Sequence, residues 1–199
     1  MSRYPNLFSS LRIKTMEMPN RAVVPPMGTG LGNPDGTVSE ANLAYIRRLA
    51  QGGFGLIITE ITAVHPSASV GHGHLGSYDD VFIPGLRQMA DIIHAQGGCA
   101  ALQLHHAGRE NLRLLQKDEA IGPSPIPSLV YRKAPREMSP AQIEEIVESF
   151  GLAAARAREA GFDAVEIHGA HGYLLTQFLS ALSNQRQDDY GGSLNQRAR

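Results

Sequence analysis

This chain of 199 residues has a single cysteine, no tryptophan and almost no net charge. Its one cysteine, Cys99, excludes a disulfide framework or a cysteine-based metal cluster within one chain, and its apolar surroundings predict a buried thiol. There is no tryptophan, and the formal net charge is −1. So small a charge gives no general attraction to nucleic acid or to an anionic membrane. We therefore expect neither as a partner.

Long apolar runs are also missing. The start, Met1 to Asn6, lacks the apolar segment of a signal peptide, and no run elsewhere approaches the length that crosses a bilayer. The expectation is a cytoplasmic protein without membrane contact. At 42% hydrophobic residues the chain has enough apolar surface for an ordinary core, and its length predicts one domain over residues 1–199.

Strand and helix patterns alternate along the chain after a short hairpin at Leu11–Met18, whose turn is predicted near Lys14. The predicted strands are Arg21–Met27, Leu56–Thr59, Cys99–Leu104 and Ala164–Ile167. Capping boxes predict helix starts at Thr37–Glu40 and at Ser139–Gln142, and a third helix is predicted over Pro84–Gln96. Pairs of glycines, or a single glycine, end these helices. A Pro-rich stretch, Ile121–Pro135, is predicted to be a long surface loop.

Such alternation predicts an α/β fold with a parallel sheet. A (β/α)8 TIM barrel needs eight strands and about 250 residues, and the pattern supplies four. Ser193 caps what reads as the opening of a further helix. We interpret the chain as the N-terminal half of such a barrel, strands one to four with their helices. The alternative is a half-barrel that completes itself by self-association.

The most informative segment is His168–Ser193, which directly follows the last predicted strand. It places two imidazoles, His168 and His171, and the phenol of Tyr173 where that strand stops. In parallel α/β proteins this edge of the sheet is where ligands bind. The segment is therefore the first candidate for a functional site.

Several motifs in order resemble the old yellow enzyme family of NADH:flavin oxidoreductases, the FMN-dependent ene-reductases. They are Ile13–Arg21, Pro25–Met27, Gln103–Arg109, and the segment from His168 to Ser193. The opening Met27–Val38 leans towards the enoate and 2,4-dienoyl-CoA reductase branch. The resemblance implies an incomplete FMN-binding TIM barrel that uses NADH or NADPH.

By the same resemblance, the backbone of Pro26, Met27 and Gly28 meets the flavin, and Gln103 holds it. An amide both donates and accepts hydrogen bonds, which suits the edge of a flavin ring. Two sites depart from the family pattern. Gly28 has no side chain to tune the flavin, and Ile61 stands where a small residue is common.

The catalytic and substrate-binding residues implied are His168, His171 and Tyr173. Two imidazoles three residues apart at the start of a helical turn share a face and have the donors to bind one carbonyl oxygen. By the same resemblance, Tyr173 is the candidate proton donor. A metal site is the rival interpretation of the histidines, although no third ligand at regular spacing accompanies them. They could also be histidines without a role, and Tyr173 could be a packing residue.

Three nearby residues stay open at this point. His105 and His106 have no assigned role, and Arg109 either faces the flavin or forms an ion pair that supports its loop. The Gly71–Gly76 segment matches a dinucleotide-binding spacing, but it lacks a preceding strand and a helix that opens at it, so we predict a flexible loop.

Two functional hypotheses follow. The first is an NAD(P)H-dependent enzyme that reduces the activated C=C bond of a small enone or enoate through FMN. The second is an inactive fragment, or a half-barrel partner that needs a second chain to bind FMN. Because identical motifs serve both, the sequence does not separate them.

Overall fold

Four parallel strands, each followed by helical structure, build the part of the molecule that positions the site. The computed structural model describes residues 3–69, 71 and 73–199. Its strands are β1 (Leu11–Ile13), β2 (Met16–Met18), β3 (Val23–Val24), β4 (Leu56–Ala63), β5 (Leu75–Gly76), β6 (Cys99–His105), β7 (Ile121–Gly122), β8 (Arg136–Glu137) and β9 (Ala164–Ile167). Its α-helices are α1 (Glu40–Ala50), α2 (Ile83–His94), α3 (Leu112–Gln116), α4 (Pro140–Glu159), α5 (Leu174–Leu179) and α6 (Leu194–Arg197).

The main sheet has the order β3-β4-β6-β9, and the short β5 pairs with the end of β4. All these pairings are parallel, with Val23 opposite Leu56, Leu56 opposite Cys99, and Ala101 opposite Ala164. Strands that follow one another in the chain are therefore neighbours in the sheet, as in the wall of a barrel. The strand–helix alternation predicted from the sequence is confirmed.

Helices α1, α2 and α4 cover one face of the sheet and form the main core with it. The core side chains are apolar residues at helical spacing, among them Ile46, Leu86, Met89 and Ile93, against Ile57 and Leu102 of the strands. The predicted hairpin is confirmed as β1 paired antiparallel with β2. It packs Met18 on Leu56 and Cys99 at the amino ends of the strands. Cys99 is buried and free, as predicted.

The helix caps show where sequence reading succeeded and failed. Ser139 caps α4 in the predicted box with Gln142. The box predicted at Thr37–Glu40 is wrong, because Ser39 caps α1 with Asn42 as its reciprocal partner. The Thr37 hydroxyl is bound within the preceding turn instead, because it donates to Asp35 Oδ1 at 2.7 Å and accepts from Asn33 Nδ2 at 2.9 Å.

An apolar groove lies beside β9, between α4 and α5. Val147 is 65% exposed there, and Ile167 is 55% exposed. Val147 belongs to the apolar face of α4, and Ile167 belongs to the apolar strand β9. No other described residue covers them in this groove. Within the described residues, no helix is long and apolar enough to cross a membrane.

The loop predicted over Ile121–Pro135 begins two residues too early, because Ile121–Gly122 form β7, which pairs with β8 at Arg136. The rest of the predicted loop connects these two strands. Ser193 caps α6 as predicted, with Gln196 completing a capping box.

Candidate active site

The carboxyl ends of β6 and β9 carry four of the predicted site residues, Gln103, His168, His171 and Tyr173, whereas Pro26, Met27 and Gly28 follow β3. Gln103 lies opposite Glu166 in the register, and Leu104 lies opposite Ile167. The backbone N–H of His168 continues this ladder by donating to Leu104 O at 3.0 Å. Gln103 and His168 therefore lie at adjacent strand ends, as the sequence predicted.

His168 and His171 are in contact, with 3.4 Å between His168 Nε2 and His171 Nδ1 and 5.1 Å between the ring centroids. The predicted helical turn is wrong, because α5 starts only at Leu174. His171 has φ of 57° and Gly172 has φ of 72°, so the chain turns in the left-handed region instead. This turn, rather than helical spacing, brings the two rings together.

The environment keeps His168 neutral. Burial lowers the pKa of His168, and the neighbouring His171 lowers it further, whereas Glu166 acts weakly in the opposite direction. A neutral imidazole carries one N–H and one bare nitrogen. While the contact of 3.4 Å is kept, one N–H of the pair is used internally. A carbonyl oxygen that accepts from both rings must therefore replace this contact.

Tyr173 packs edge-on against two of the histidines. Its ring centroid lies 4.5 Å from that of His105 and 5.1 Å from that of His168. Burial raises the pKa of the phenol, with smaller contributions from Tyr131 and Glu110. The hydroxyl therefore stays protonated at neutral pH and is available as a proton donor.

The two adjacent histidines of β6 have different environments. His105 is 1% exposed and lies in the cluster with Tyr173 and His168, and neither of its ring nitrogens has a partner among the described residues. Burial, aided by His168, lowers the pKa of His105 to about 3. It is the cluster member whose role the sequence left open.

His106 is buried and joins the loop after β6 to the segment after β4 through hydrogen bonds. Its Nδ1 accepts the N–H of Gly108 at 3.0 Å, so Nε2 carries the proton and donates to Ser67 Oγ at 3.0 Å. Arg109 forms an ion pair with Glu110 at 3.2 Å and donates to Ile126 O. Of its two interpretations, the structure favours the one in which it supports the loop.

Gln103 is 5% exposed, so it is a buried residue and not a surface glutamine. Its Nε2 donates to Glu166 Oε1 at 2.6 Å. At the end of β3, Met27 is 60% exposed, and a Cβ placed on Gly28 would have no atom within 4 Å. Met27 and Gly28 therefore border open space, and Pro26 is half-buried.

The sequence analysis missed a buried carboxylate, Glu60, which binds the loop that follows Gly28. Glu60 accepts hydrogen bonds from the N–H and hydroxyl of Thr29 and from the amide of Asn42. It could have been recognised from the sequence, because it is the charged residue within the otherwise largely apolar strand β4. A second missed residue is Gln177, which is 1% exposed and contacts the loops after both β6 and β9.

Two rival interpretations receive no support from the geometry. In the part of the chain that the structure describes, no three His, Cys, Asp or Glu side chains are grouped to hold a metal ion. In the Gly71–Gly76 segment, Leu75 and Gly76 form β5, and the following α-helix starts only at Ile83. Val70 and His72 lie outside the described residues, and the predicted flexibility of this loop stays a prediction.

Comparison with known proteins gives a consistent result. The family model described as NADH:flavin oxidoreductase / NADH oxidase matches residues 6–199. An NADH oxidase of Thermoanaerobacter brockii is 42% identical over 100% of this chain and 31% of its own length. An NADPH dehydrogenase of Halalkalibacterium halodurans is 44% identical over 97% of this chain and 56% of its own length.

Among solved structures, morphinone reductase in complex with tetrahydroNAD superimposes with a TM-score of 0.89 at 33% identity, over 98% of this chain and 57% of that chain. A 2-naphthoyl-CoA reductase superimposes with a TM-score of 0.92 at 29% identity, over 98% of this chain and 32% of that chain. The chain thus spans between about a third and about half the length of these relatives. The parallel sheet, read with these neighbours, is the N-terminal half of a TIM barrel. The chain belongs to the NADH:flavin oxidoreductase / NADH oxidase family, to which the old yellow enzymes belong.

Proposed function

We propose that this chain carries the substrate-binding half of an FMN-dependent oxidoreductase that uses NADH or NADPH to reduce the activated C=C bond of an α,β-unsaturated carbonyl compound. The observation that carries the proposal is the cluster of His168, His171 and Tyr173 beside Gln103 at the carboxyl ends of β6 and β9. Two imidazoles that can donate N–H groups and a protonated phenol are the groups needed to hold a carbonyl and to protonate the adjacent carbon.

The residues present fit an FMN ring. Gln103 has one amide hydrogen engaged with Glu166, which leaves a second hydrogen and the carbonyl oxygen for the ring edge. After β3, Met27 and Gly28 border open space, next to the half-buried Pro26. FMN, when bound, supplies the hydride that NADH or NADPH has passed to it.

The chain's own residues bind the carbonyl of the substrate and supply the proton. His168 and His171 give up their mutual contact and donate to the carbonyl oxygen of the substrate, so negative charge that develops there is stabilised. Tyr173 gives its hydroxyl proton to the α-carbon. Because burial keeps this phenol protonated, the donor is ready at neutral pH.

The activity of the whole protein remains part of this proposal, since the relatives are longer than this chain. In a TIM barrel, phosphate sites form after strands seven and eight. We propose that the FMN phosphate is bound there, by a C-terminal half or by a second copy of the chain. The enoate and dienoyl-CoA branch and a cytoplasmic location stay predictions.

Titration with FMN tests the cofactor proposal. Purified protein is mixed with FMN, and the visible absorption and flavin fluorescence are followed. We expect Gln103→Leu to weaken binding at least several-fold, while Gln116→Leu on the exposed end of α3 serves as the control. Equal affinity of the two variants would contradict the role of Gln103.

Half-reactions test the catalytic roles in any form that binds FMN. Tyr173→Phe should slow reoxidation by an enone and leave reduction by NAD(P)H largely intact, whereas equal loss of both would contradict the proton-donor role. His168→Ala should weaken binding of phenol-like ligands. Protein that aggregates and rejects FMN would favour the alternative of an inactive fragment or a half-barrel that needs a second chain.

A further inference from the structure

The turn that presents His171 and Tyr173 needs support from outside itself. His171 and Gly172 are consecutive residues with positive φ, and histidine adopts this conformation at a cost in backbone strain. Its backbone is held by Tyr173 N–H, which donates to Ala170 O at 3.2 Å, and by Leu174 N–H, which donates to His106 O at 3.0 Å, but neither of these bonds reaches the carbonyl of Gly172. Such strain persists where surrounding contacts fix the conformation.

Gln177 supplies contacts of this kind. Its Nε2 donates to Gly172 O at 2.7 Å and to Ala107 O at 3.1 Å. Its Oε1 accepts the N–H of Arg109 at 3.1 Å. Both amide hydrogens and one oxygen lone pair are thus used, on a side chain that is 1% exposed.

The residue that faces the Gln177 amide from the loop after β6 is Gly108. Gly108 has φ of 58°, and a Cβ added there would overlap Gln177 Oε1. A glycine at this position therefore lets the loop after β6 approach the amide. One side chain joins that loop to the turn between β9 and α5.

We propose that Gln177 is a positioning residue that holds the turn at His171–Tyr173 against the loop after β6, and so fixes both rings relative to His105. The functional meaning of this orientation rests on the roles proposed above for His171 and Tyr173. The positioning itself is a statement about geometry, and it is testable without flavin or activity.

The test is the NMR cross-relaxation (NOE) between the ring protons of Tyr173 and His105, whose centroids are 4.5 Å apart. Gln177→Met removes all three side-chain hydrogen bonds and keeps the length of the side chain. Because the NOE falls with the sixth power of distance, we expect a loss of at least three-fold at neutral pH. Tyr173→Phe and His105→Leu assign the signals.

Asn184→Leu is the matched control. Asn184 is 4% exposed, and its amide also donates to two backbone carbonyls, of Phe178 and Tyr190, and accepts one backbone N–H, from Arg186. It makes none of these bonds to the turn at His171–Tyr173. The variant should therefore keep the Tyr173–His105 NOE, even if it lowers the melting temperature as much as Gln177→Met does.

An unchanged NOE in folded Gln177→Met, or an equal loss in Asn184→Leu, would overturn the proposal. If Gln177→Met does not fold, hydrogen exchange in the wild-type protein provides the test. The side-chain amide of Gln177 should exchange at least ten-fold more slowly than that of the exposed Gln116. Equal exchange rates would refute the positioning role of Gln177. In a form that binds FMN, Gln177→Met should slow the enone half-reaction more than reduction by NAD(P)H. Absence of flavin binding would count against the proposed function and leave the NOE result valid.

Discussion

Acidification from pH 7 to pH 5 should weaken the fold through two buried histidines. His105 and His106 are each 1% exposed, and burial lowers the pKa of each to about 3. An unfolded histidine titrates near pH 6.5. Below that pH the unfolded chain binds protons that the folded chain refuses, so stability falls as pH falls and continues to fall until about pH 3.

The magnitude follows from the same two pKa values. Between pH 7 and pH 5, a histidine with a folded pKa of about 3 and an unfolded pKa of about 6.5 removes about 2 kcal/mol from the free energy of unfolding. His105 and His106 together remove about 4 kcal/mol, which is a large share of the ~5–15 kcal/mol typical of a domain. Carboxylates titrate mostly below this window.

Urea unfolding of wild type and His105→Leu at pH 7, 6 and 5 measures the effect. The variant should lose about 2 kcal/mol less than wild type across this range, because the contribution of His105 is removed while those of His106 and of the other histidines with a lowered pKa, His168 and His74, remain. Leu102→Ala, at a fully buried site on the same strand, is the control. It should lower stability by a similar amount at every pH. If His105→Leu and wild type have the same pH dependence, His105 is not a buried neutral histidine in the folded chain.

Three further substitutions test the supporting contacts, each by urea unfolding at pH 7. Ser139→Ala removes the cap that accepts the N–H of Gln142 and should cost about 1 kcal/mol; no change would mean that the cap is frayed. Arg186→Met leaves two buried carbonyls without their donor and should cost about 3 kcal/mol, and a loss below about 1 kcal/mol would contradict this. Asn42→Ala removes a donor to Glu60 and the α1 capping partner and should cost about 2 kcal/mol, more than an exposed substitution such as Gln116→Ala.

Local patterns were enough to predict most of the architecture. Ser139 and Gln142 form the predicted box because both partners lie within one turn of the chain. Strand β9 was predicted with its exact bounds, since a short apolar run between Gly161 and a polar segment has few alternatives. The cap of α1 was missed because Thr37 and Ser39 are both competent caps. The choice depends on Asp35, which binds the threonine hydroxyl.

The site was predictable in composition and less so in arrangement. His168, His171 and Tyr173 are close in sequence, so their proximity was expected, but the left-handed turn that joins them was not. His105 was recoverable from strand parity, since it lies two residues after Gln103 and alternate side chains share a face. By the same rule His106 points away from the cluster. Glu60 and Gln177 depend on contacts between distant segments, which no local pattern encodes.

The two halves of the proposed site differ in how much of the fold they require. The histidine–tyrosine cluster is built from β6, β9 and the segments directly after them, and these strands are adjacent. The proposed flavin contacts combine β3 with Gln103 on β6, and β4 separates these two strands in the sheet. Under the proposed function, we therefore expect binding of a phenol-like ligand and binding of FMN to be separable by experiment. A chain that binds the phenol but not FMN would have an intact cluster, and its missing contacts would belong to the cofactor.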